Sequence, residues 1–143
     1  MERIKIAIGI DPDVDNSGIA CWDKTTKSFD YIKNMSFWDI IEEFEAWNIN
    51  IEVVIEAGWL IKKSNWHGHS LQNKSVGERI AKNVGSNHQV GKLLNEYCLK
   101  KGIKVTLVKP KGKINAKTFK NITNYKERTN QDKRDAAMLV YGM

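Results

Sequence analysis

Proline, cysteine and long apolar runs are all scarce in this sequence. It contains two prolines, two cysteines (Cys21 and Cys98) and no apolar stretch near the roughly 20 residues that a membrane-spanning helix needs. The amino-terminal residues also lack the pattern of a secretory signal peptide. These absences argue against a disulfide framework and against a membrane protein. They favour a cytoplasmic protein, or one in the cytoplasm of a host cell if a virus encodes it, with buried free thiols.

The 143 residues are enough for one domain with a substantial core, so residues 1–143 are expected to form a single unit. Charge is distributed unevenly along the chain. Residues 1–56 hold 5 Lys and Arg against 12 Asp and Glu, whereas residues 57–143 hold 18 against 5. A basic segment of this size predicts a polyanionic partner, although a solvated lysine-rich surface would have the same composition.

Hydrophobic periodicity predicts an α/β domain with the element order β-β-β-α-β-α-β-α. Three strand-like runs separated by turn formers suit antiparallel hairpins, and a fourth strand over 51–55 follows a helix and should run parallel to the first. Helices are expected over 37–47, with Ser36 as N-cap, and over about 75–101, with an interruption near Gly85. The predicted fold class is therefore a five-stranded mixed sheet, its first three strands antiparallel, flanked by helices.

Four carboxylates occupy positions that such a fold would bring together. Asp11 ends the first strand, because Pro12 cannot donate to a ladder, and Glu56 ends the parallel fourth strand at the same edge. Asp132 and Asp135 share a face of the last predicted helix. Clustered carboxylate oxygens suit Mg²⁺ or Mn²⁺, and two such ions about 4 Å apart can activate a water for attack on a phosphodiester. Taken singly, each acid also has an ordinary explanation as a turn residue, a dipole complement or a lysine partner.

Several segments of the sequence match one known group of proteins. They are residues 8–12 (IGIDP), 53–56 (VVIE), 132–137 (DKRDAA) and the helix–strand pair 90–94 (VGKLL) and 104–110 (KVTLVKP). In sequence and order they resemble the RNase H-like (retroviral integrase) superfamily, and within it the RuvC-type Holliday-junction resolvases. The resemblance spans nearly the whole chain in the order of its elements, with few identical residues.

This resemblance implies a Mg²⁺-dependent, structure-selective endodeoxyribonuclease that resolves branched DNA. It also implies two metal ions and a homodimer that makes paired cuts, with the long helix as a candidate interface. Asp13 stands where many relatives have glycine, so Asp13 or Asp15 becomes a candidate additional ligand. Asp132 stands where some relatives carry histidine, which makes its role less secure than that of Asp11. The metal ligands and catalytic residues that the resemblance implies are Asp11, Glu56, Asp132 and Asp135.

Three other interpretations stay open. The first is an RNase H-like ribonuclease acting on RNA–DNA hybrids or structured RNA. The second is a non-catalytic nucleic-acid-binding module of the same fold, although such a protein would gain by losing acids near its ligand. The third, an actin-like ATPase, shares the first-strand motif but needs a duplicated domain longer than this chain.

The basic segment and the loop after Glu56 supply the candidate nucleic-acid contacts. Residues 57–74 are expected to form a basic, aromatic loop whose tryptophans stack on an unpaired base, as the resemblance implies, or cover the core. His88 could approach the acidic cluster, and Arg134 could orient a carboxylate instead of binding phosphate. The candidate nucleic-acid-binding residues are Trp59, Lys62, Lys63, Trp66, Lys109, Lys111, Lys113, Lys117, Arg128 and Arg134.

Overall fold

The computed structural model describes residues 3–61 and 74–143, with side chains over 3–61 and 77–143. Within these ranges the strands are β1 (Ile6–Asp11), β2 (Ser17–Asp23), β3 (Ser28–Met35), β4 (Ile51–Glu56) and β5 (Lys104–Val108). The α-helices of the same ranges are α1 (Phe37–Trp47), α2 (Lys74–Lys101), α3 (Ala116–Thr123) and α4 (Gln131–Val140). One turn of 3₁₀-helix, Gly58–Leu60, follows β4 directly.

The strands form one sheet in the order β3-β2-β1-β4-β5. β1 pairs antiparallel with β2 and β2 with β3, whereas β1 pairs parallel with β4 and β4 with β5. The predicted five-stranded mixed sheet and its three leading antiparallel strands are therefore confirmed. Because β1 and β4 are parallel neighbours, their carboxyl ends reach the same edge of the sheet.

Both faces of the sheet are covered, which explains why β1 and β4 are almost continuously apolar. On one face, Ile8 and Ile10 of β1 join a core that includes Phe44 of α1 and Leu94 of α2. The opposite face carries a smaller core in which Ala7 and residues of α4 take part. The central strands are thus held between two helical layers, and their ends are rigid platforms for side chains.

Local signals place most helix ends correctly. Ser36 caps α1 by accepting the N–H of Asp39 at 3.2 Å, and Asn130 caps α4 by accepting the N–H of Lys133 at 2.9 Å. The expected interruption of the long helix near Gly85 is wrong. Glycine costs an exposed helix interior only about 1 kcal/mol, and α2 is long enough to absorb it.

Cys21 and Cys98 are buried free thiols, as expected. Among the residues that the structure describes, no helix is long and apolar enough to cross a membrane.

Candidate metal centre

Two carboxylates meet at the edge of the sheet because their strands are parallel neighbours in register. Ile10 pairs with Ile55, so the residues that follow them, Asp11 and Glu56, leave the sheet side by side. Both side chains are half-buried at the strand ends. The two acids that the sequence placed at strand ends are therefore adjacent in the fold.

Two glycines bring α4 against this edge. A β-carbon on Gly9 would overlap the carbonyl oxygen of Ala136, and a β-carbon on Gly18 would overlap the carbonyl oxygen of Asp132. Gly18 is the ladder partner of Asp11. The backbone of α4 therefore lies directly on β1 and β2, a close approach that only glycine permits.

Three of the four predicted acids form one compact group. Carboxylate oxygens of Asp11, Glu56 and Asp135 all lie within 4.8 Å of one another. Asp132 stands at the flank of this group, close to Asp11 and Asp13. The structure thus brings together all four acids, with three at the centre and Asp132 beside them.

Burial and mutual repulsion dominate the electrostatics of the group. Burial, followed by the charges of Glu56, Asp132 and Asp135, raises the pKa of Asp11 to about 9. Burial also raises the pKa of Glu56 and the pKa of Asp132, and the charges of neighbouring acids raise both further. Such shifts arise when several carboxylates share a poorly solvated site that holds fewer positive charges than negative ones. Three converging, half-buried oxygen donors fit a hard divalent cation such as Mg²⁺ or Mn²⁺.

Asp135 has protein partners on both of its oxygens. Lys113 donates from Nζ to Oδ2 at 2.7 Å, and Gln131 donates from Nε2 to Oδ1 at 2.7 Å. The hydrogen bond to Asp135 raises the pKa of Lys113, so this lysine is firmly protonated. Lys113 supplies one positive charge to a cluster that would hold several negative ones.

Arg134 does not project freely toward a ligand. Its guanidinium donates to the carbonyl oxygen of Ile114 at 3.1 Å, to both oxygens of Thr129 and to Oε1 of Gln131 at 3.1 Å. Since Gln131 in turn holds Asp135, Arg134 acts on the cluster through one intermediary. Its geometry favours the expectation that it orients a carboxylate over the expectation that it contacts phosphate.

The loop after Asp11 is organised by its own side chains. Asp13 accepts the N–H groups of Asp15 at 2.8 Å and Asn16 at 3.3 Å through Oδ1, and Ser17 Oγ accepts the N–H of Asp13 at 2.9 Å. Asp13 is therefore a turn-forming residue that also stands close to Asp132. Asp15 is exposed.

Trp59 packs at the border of the first core. A β-carbon on Gly91 of α2 would lie 2.5 Å from Cζ3 of Trp59, and the ring of His88 stands edge-on to the indole with centroids 6.1 Å apart. His88 also lies against Gly58, two residues after Glu56, and its burial and the nearby Lys92 lower its pKa. Trp59 thus covers part of the core, while base stacking by its accessible part stays a prediction.

The basic segment after β5 begins at the edge that holds the acids. Val108, the last residue of β5, pairs with Glu56, so the chain leaves the sheet beside the acidic cluster. The side chains of Lys109, Lys111, Lys113, Lys117 and Arg128 are exposed there and beyond. Lys62, Lys63 and Trp66 lie outside the described residues.

A mixed sheet in the order 3-2-1-4-5, with acids at the ends of β1 and β4 and on the last helix, is an RNase H-like fold of the RuvC type. Two solved structures show this likeness. Thermus thermophilus RuvC in complex with a Holliday junction substrate aligns over 96% of this chain and 91% of its own, with a TM-score of 0.59 and 12% identity. A second Thermus thermophilus RuvC structure aligns over 95% and 91%, with a TM-score of 0.54 and 11% identity.

No protein-family model matches the sequence, and no curated protein sequence matches it either. The likeness to RuvC is therefore one of fold, at an identity too low to carry over a reaction.

Four residues that support the site were not predicted from the sequence. The glycines that seat α4 carried only the general signal of a glycine inside a strand. Gln131 stands four residues before Asp135, a helical spacing that allows the observed hydrogen bond and could have been noticed. No local pattern marks Asn87, because its hydrogen-bond partner, the N–H of Val14, lies 73 residues away in sequence.

Proposed function

We propose that this protein is a divalent-metal-dependent endonuclease that cuts branched DNA, including Holliday junctions, by hydrolysis of a phosphodiester. The observation that carries the proposal is the convergence of Asp11, Glu56 and Asp135 to within 4.8 Å at one edge of a RuvC-like sheet. A cluster with these raised pKa values is unfavourable for a purely structural role. It is favourable when a cation binds.

The chain's own residues would divide the work as follows. Asp11, Glu56 and Asp135 would hold Mg²⁺ or Mn²⁺, in one or two ions, and Asp132 would complete the set from the flank. When bound, such ions lower the pKa of a water and stabilise the leaving oxygen of a phosphodiester. Gln131 would keep one oxygen of Asp135 oriented, while Lys113 would be free to turn from Asp135 to a phosphate.

The basic surface supports a nucleic-acid substrate. Residues 109–128 carry seven Lys and Arg against one acid, and this segment begins beside Glu56. Phosphate contacts by such residues would supply most of the affinity and make it sensitive to salt. We extend the proposal to branched DNA because the RuvC structure of the same fold is held in complex with a Holliday junction substrate.

We also propose a homodimer, which paired cuts across a junction would require. The candidate interface is α2, on which Ile80, Leu93 and Leu99 are exposed with 43%, 42% and 65% of their surface accessible. At about 100° per residue these three positions point to different sides of the helix and do not form one patch, so the proposal rests on the requirement for paired cuts. Light scattering at micromolar concentration would test this state, and a monomeric mass would contradict it.

The decisive experiment compares three substrates under one condition. A synthetic four-way DNA junction, an RNA–DNA hybrid and a linear DNA duplex are incubated with the protein in Mg²⁺ and in EDTA. We expect Mg²⁺-dependent cutting of the junction, which Asp11→Asn abolishes. Cutting of the hybrid alone would assign a ribonuclease, and binding without cutting in any metal would assign a non-catalytic module.

A further inference from the structure

One face of α2 touches both loops that leave the metal-bearing strands. Asn87 contacts the loop after Asp11, His88 contacts the turn after Glu56, and Gly91 contacts both. These three residues lie within little more than one helical turn. We call the set Asn87, His88 and Gly91 the α2 clasp.

The contact of Asn87 is a hydrogen bond across the fold. Its Oδ1 accepts the backbone N–H of Val14 at 2.8 Å. Val14 itself is 49% exposed, so its side chain gives the loop little apolar anchorage. The other side-chain hydrogen bonds described for residues 13–17 are local to the loop and leave it unattached to any helix.

The contact of Gly91 is steric. A β-carbon at this position would lie 2.5 Å from Cζ3 of Trp59 and 3.0 Å from Cγ of Pro12. Pro12 follows Asp11 directly, and Trp59 stands three residues after Glu56. The segments that follow β1 and β4 therefore both lie against α2 at Gly91.

His88 completes the contact on the Glu56 side. A β-carbon on Gly58 would lie 2.6 Å from its Nε2, so the imidazole is seated directly on the 3₁₀ turn. Because α2 is continuous from Lys74 to Lys101, its contacts with the two exits have a fixed spacing. A helix that touches both exits can therefore fix the separation of two strand ends that carry mutually repelling charges.

We propose that the α2 clasp is a positioning site for the metal centre, in which Asn87 acts on Asp11 through Val14. The inference rests on the proposed function, since it concerns the same metal. Asn87 touches neither substrate nor cation, and its effect is to keep the Asp11 carboxylate at the distance from Glu56 that a shared cation needs. Residues that orient metal ligands typically change metal affinity 10- to 100-fold when replaced.

The test measures Mn²⁺ affinity by calorimetry on the full chain, together with the Mg²⁺ dependence of junction cutting. Asn87→Ala should weaken Mn²⁺ binding about tenfold and raise the Mg²⁺ concentration needed for half-maximal cutting. Asn87→Asp should restore both, because its carboxylate can accept the same N–H. A purely structural role would lower stability without this rescue.

A charge control accompanies the rescue. Gln89→Asp adds the same charge at an exposed neighbouring position of α2. Two gains in Mn²⁺ affinity are compared: the gain of Gln89→Asp over wild type, and the gain of Asn87→Asp over Asn87→Ala. If the two gains are equal, the rescue comes from the added charge and the inference is overturned. Equal affinity of Asn87→Ala and wild type would also overturn it. No Mn²⁺ binding by wild type would instead overturn the proposed function.

Slowed hydrogen exchange gives an independent readout. The Val14 amide should be protected in wild type and in Asn87→Asp and should exchange at least several-fold faster in Asn87→Ala. Unchanged protection in Asn87→Ala would show that the hydrogen bond does not hold the loop.

Discussion

Lys113 and Asp135 form an ion pair within the acidic cluster, with Nζ and Oδ2 separated by 2.7 Å. Lys113 approaches from the basic segment after β5, and Asp135 from α4. The carboxylate is largely buried, with 11% of its side chain accessible, whereas the lysine is 64% accessible. An ammonium group thus supplies part of the charge that a divalent cation would bring under the proposed function, and its exposure would let it leave toward solvent if a cation bound.

Lys113→Met should make the fold depend more strongly on metal. Without the ammonium group, the repulsion among the acids is no longer partly compensated, so the melting temperature in EDTA should fall by a few degrees. Addition of Mg²⁺ should restore more stability to this variant than to wild type. Thermal unfolding in EDTA and in Mg²⁺ measures both.

Lys111→Met is the matched control, because Lys111 is exposed on the same segment and no ion pair is described for it. It should leave the response to Mg²⁺ unchanged. If Mg²⁺ stabilises the two variants equally, the ion pair of Lys113 with Asp135 does not offset the repulsion among the acids.

Asp11→Asn should stabilise the metal-free protein at neutral and alkaline pH. The folded state raises the pKa of Asp11 to about 9, so folding favours the protonated acid. The contribution of Asp11 to the free energy of unfolding is therefore complete below pH 4 and is lost as the pH rises toward 9. Asparagine carries no such penalty. We expect a gain on the order of 1–3 kcal/mol at pH 8 and almost none at pH 4.

Urea unfolding in EDTA at pH 4, 6 and 8 measures this difference. Glu42→Gln, an exposed acid on α1, serves as the control and should show no such trend. A difference between Asp11→Asn and wild type that shrinks as the pH rises would contradict the expected sign.

Gly91→Ala should destabilise the protein, whereas Gly85→Ala should not. The added methyl group at position 91 meets Trp59 and Pro12, and such overpacking costs typically about 1–3 kcal/mol. At position 85, two turns earlier on the same helix, nothing lies within 4 Å, so alanine gains up to about 1 kcal/mol of helix propensity. Denaturant unfolding of the two variants should move the midpoint in opposite directions. Two shifts of the same sign would show that α2 does not rest on the strand exits at Gly91.

Glu52→Gln should cost stability at neutral pH but little in acid. The side chain of Glu52 is 7% accessible and forms ion pairs with Lys24 and with Lys104, the latter at 3.1 Å. Burial alone would raise its pKa, but the two lysines outweigh burial and lower it. The two ion pairs therefore contribute fully to the free energy of unfolding above the ordinary pKa of glutamate. This contribution is lost as the pH falls through the lowered pKa.

We expect Glu52→Gln to lose roughly 1–3 kcal/mol at pH 7, measured by urea unfolding, with the difference from wild type closing toward pH 3. Glu96→Gln is the control. It removes an exposed pair with Lys100 at 3.6 Å and should cost less than about 0.5 kcal/mol. Equal losses in the two variants would mean that burial of Glu52 adds nothing.

Replacement of Lys109, Lys111 and Lys117 by alanine should lower both junction affinity and its salt dependence. Each lost phosphate contact should reduce the slope of log affinity against log salt by about 0.9. Lys5→Ala, at the end of β1 away from Asp11, should leave the slope unchanged. Binding titrations at several salt concentrations would measure it, and an unaltered slope in the triple variant would place the DNA surface elsewhere.

Much of this molecule could be predicted from local patterns. The break at Pro12 and the β-branched run before it identified Asp11 as a strand end, and the run before Glu56 did the same for β4. The parallel pairing of these strands followed from the helix between them. Two carboxylates at one edge were then a consequence of topology alone.

The supporting contacts could not be predicted in the same way. Lys113 is one of seven basic residues in its segment, and no local pattern distinguishes the one that meets Asp135. Asn87 is one polar residue on a long helix, and its partner is fixed only when α2 has packed on the sheet. The break expected at Gly85 was wrong because the propensity of one residue is a weak influence inside a helix of this length.

The close contact of the α4 backbone with Gly9 and Gly18 affects how many other residues can change without disturbing the site. The position of Asp132 and Asp135 relative to Asp11 is set where two main chains touch, and not by the shapes of the side chains around them. Most of the core can then be replaced without displacing the acids. A chain built in this way can keep the arrangement of these acids while most of its other residues change, and this one has the fold of Thermus thermophilus RuvC at 12% identity.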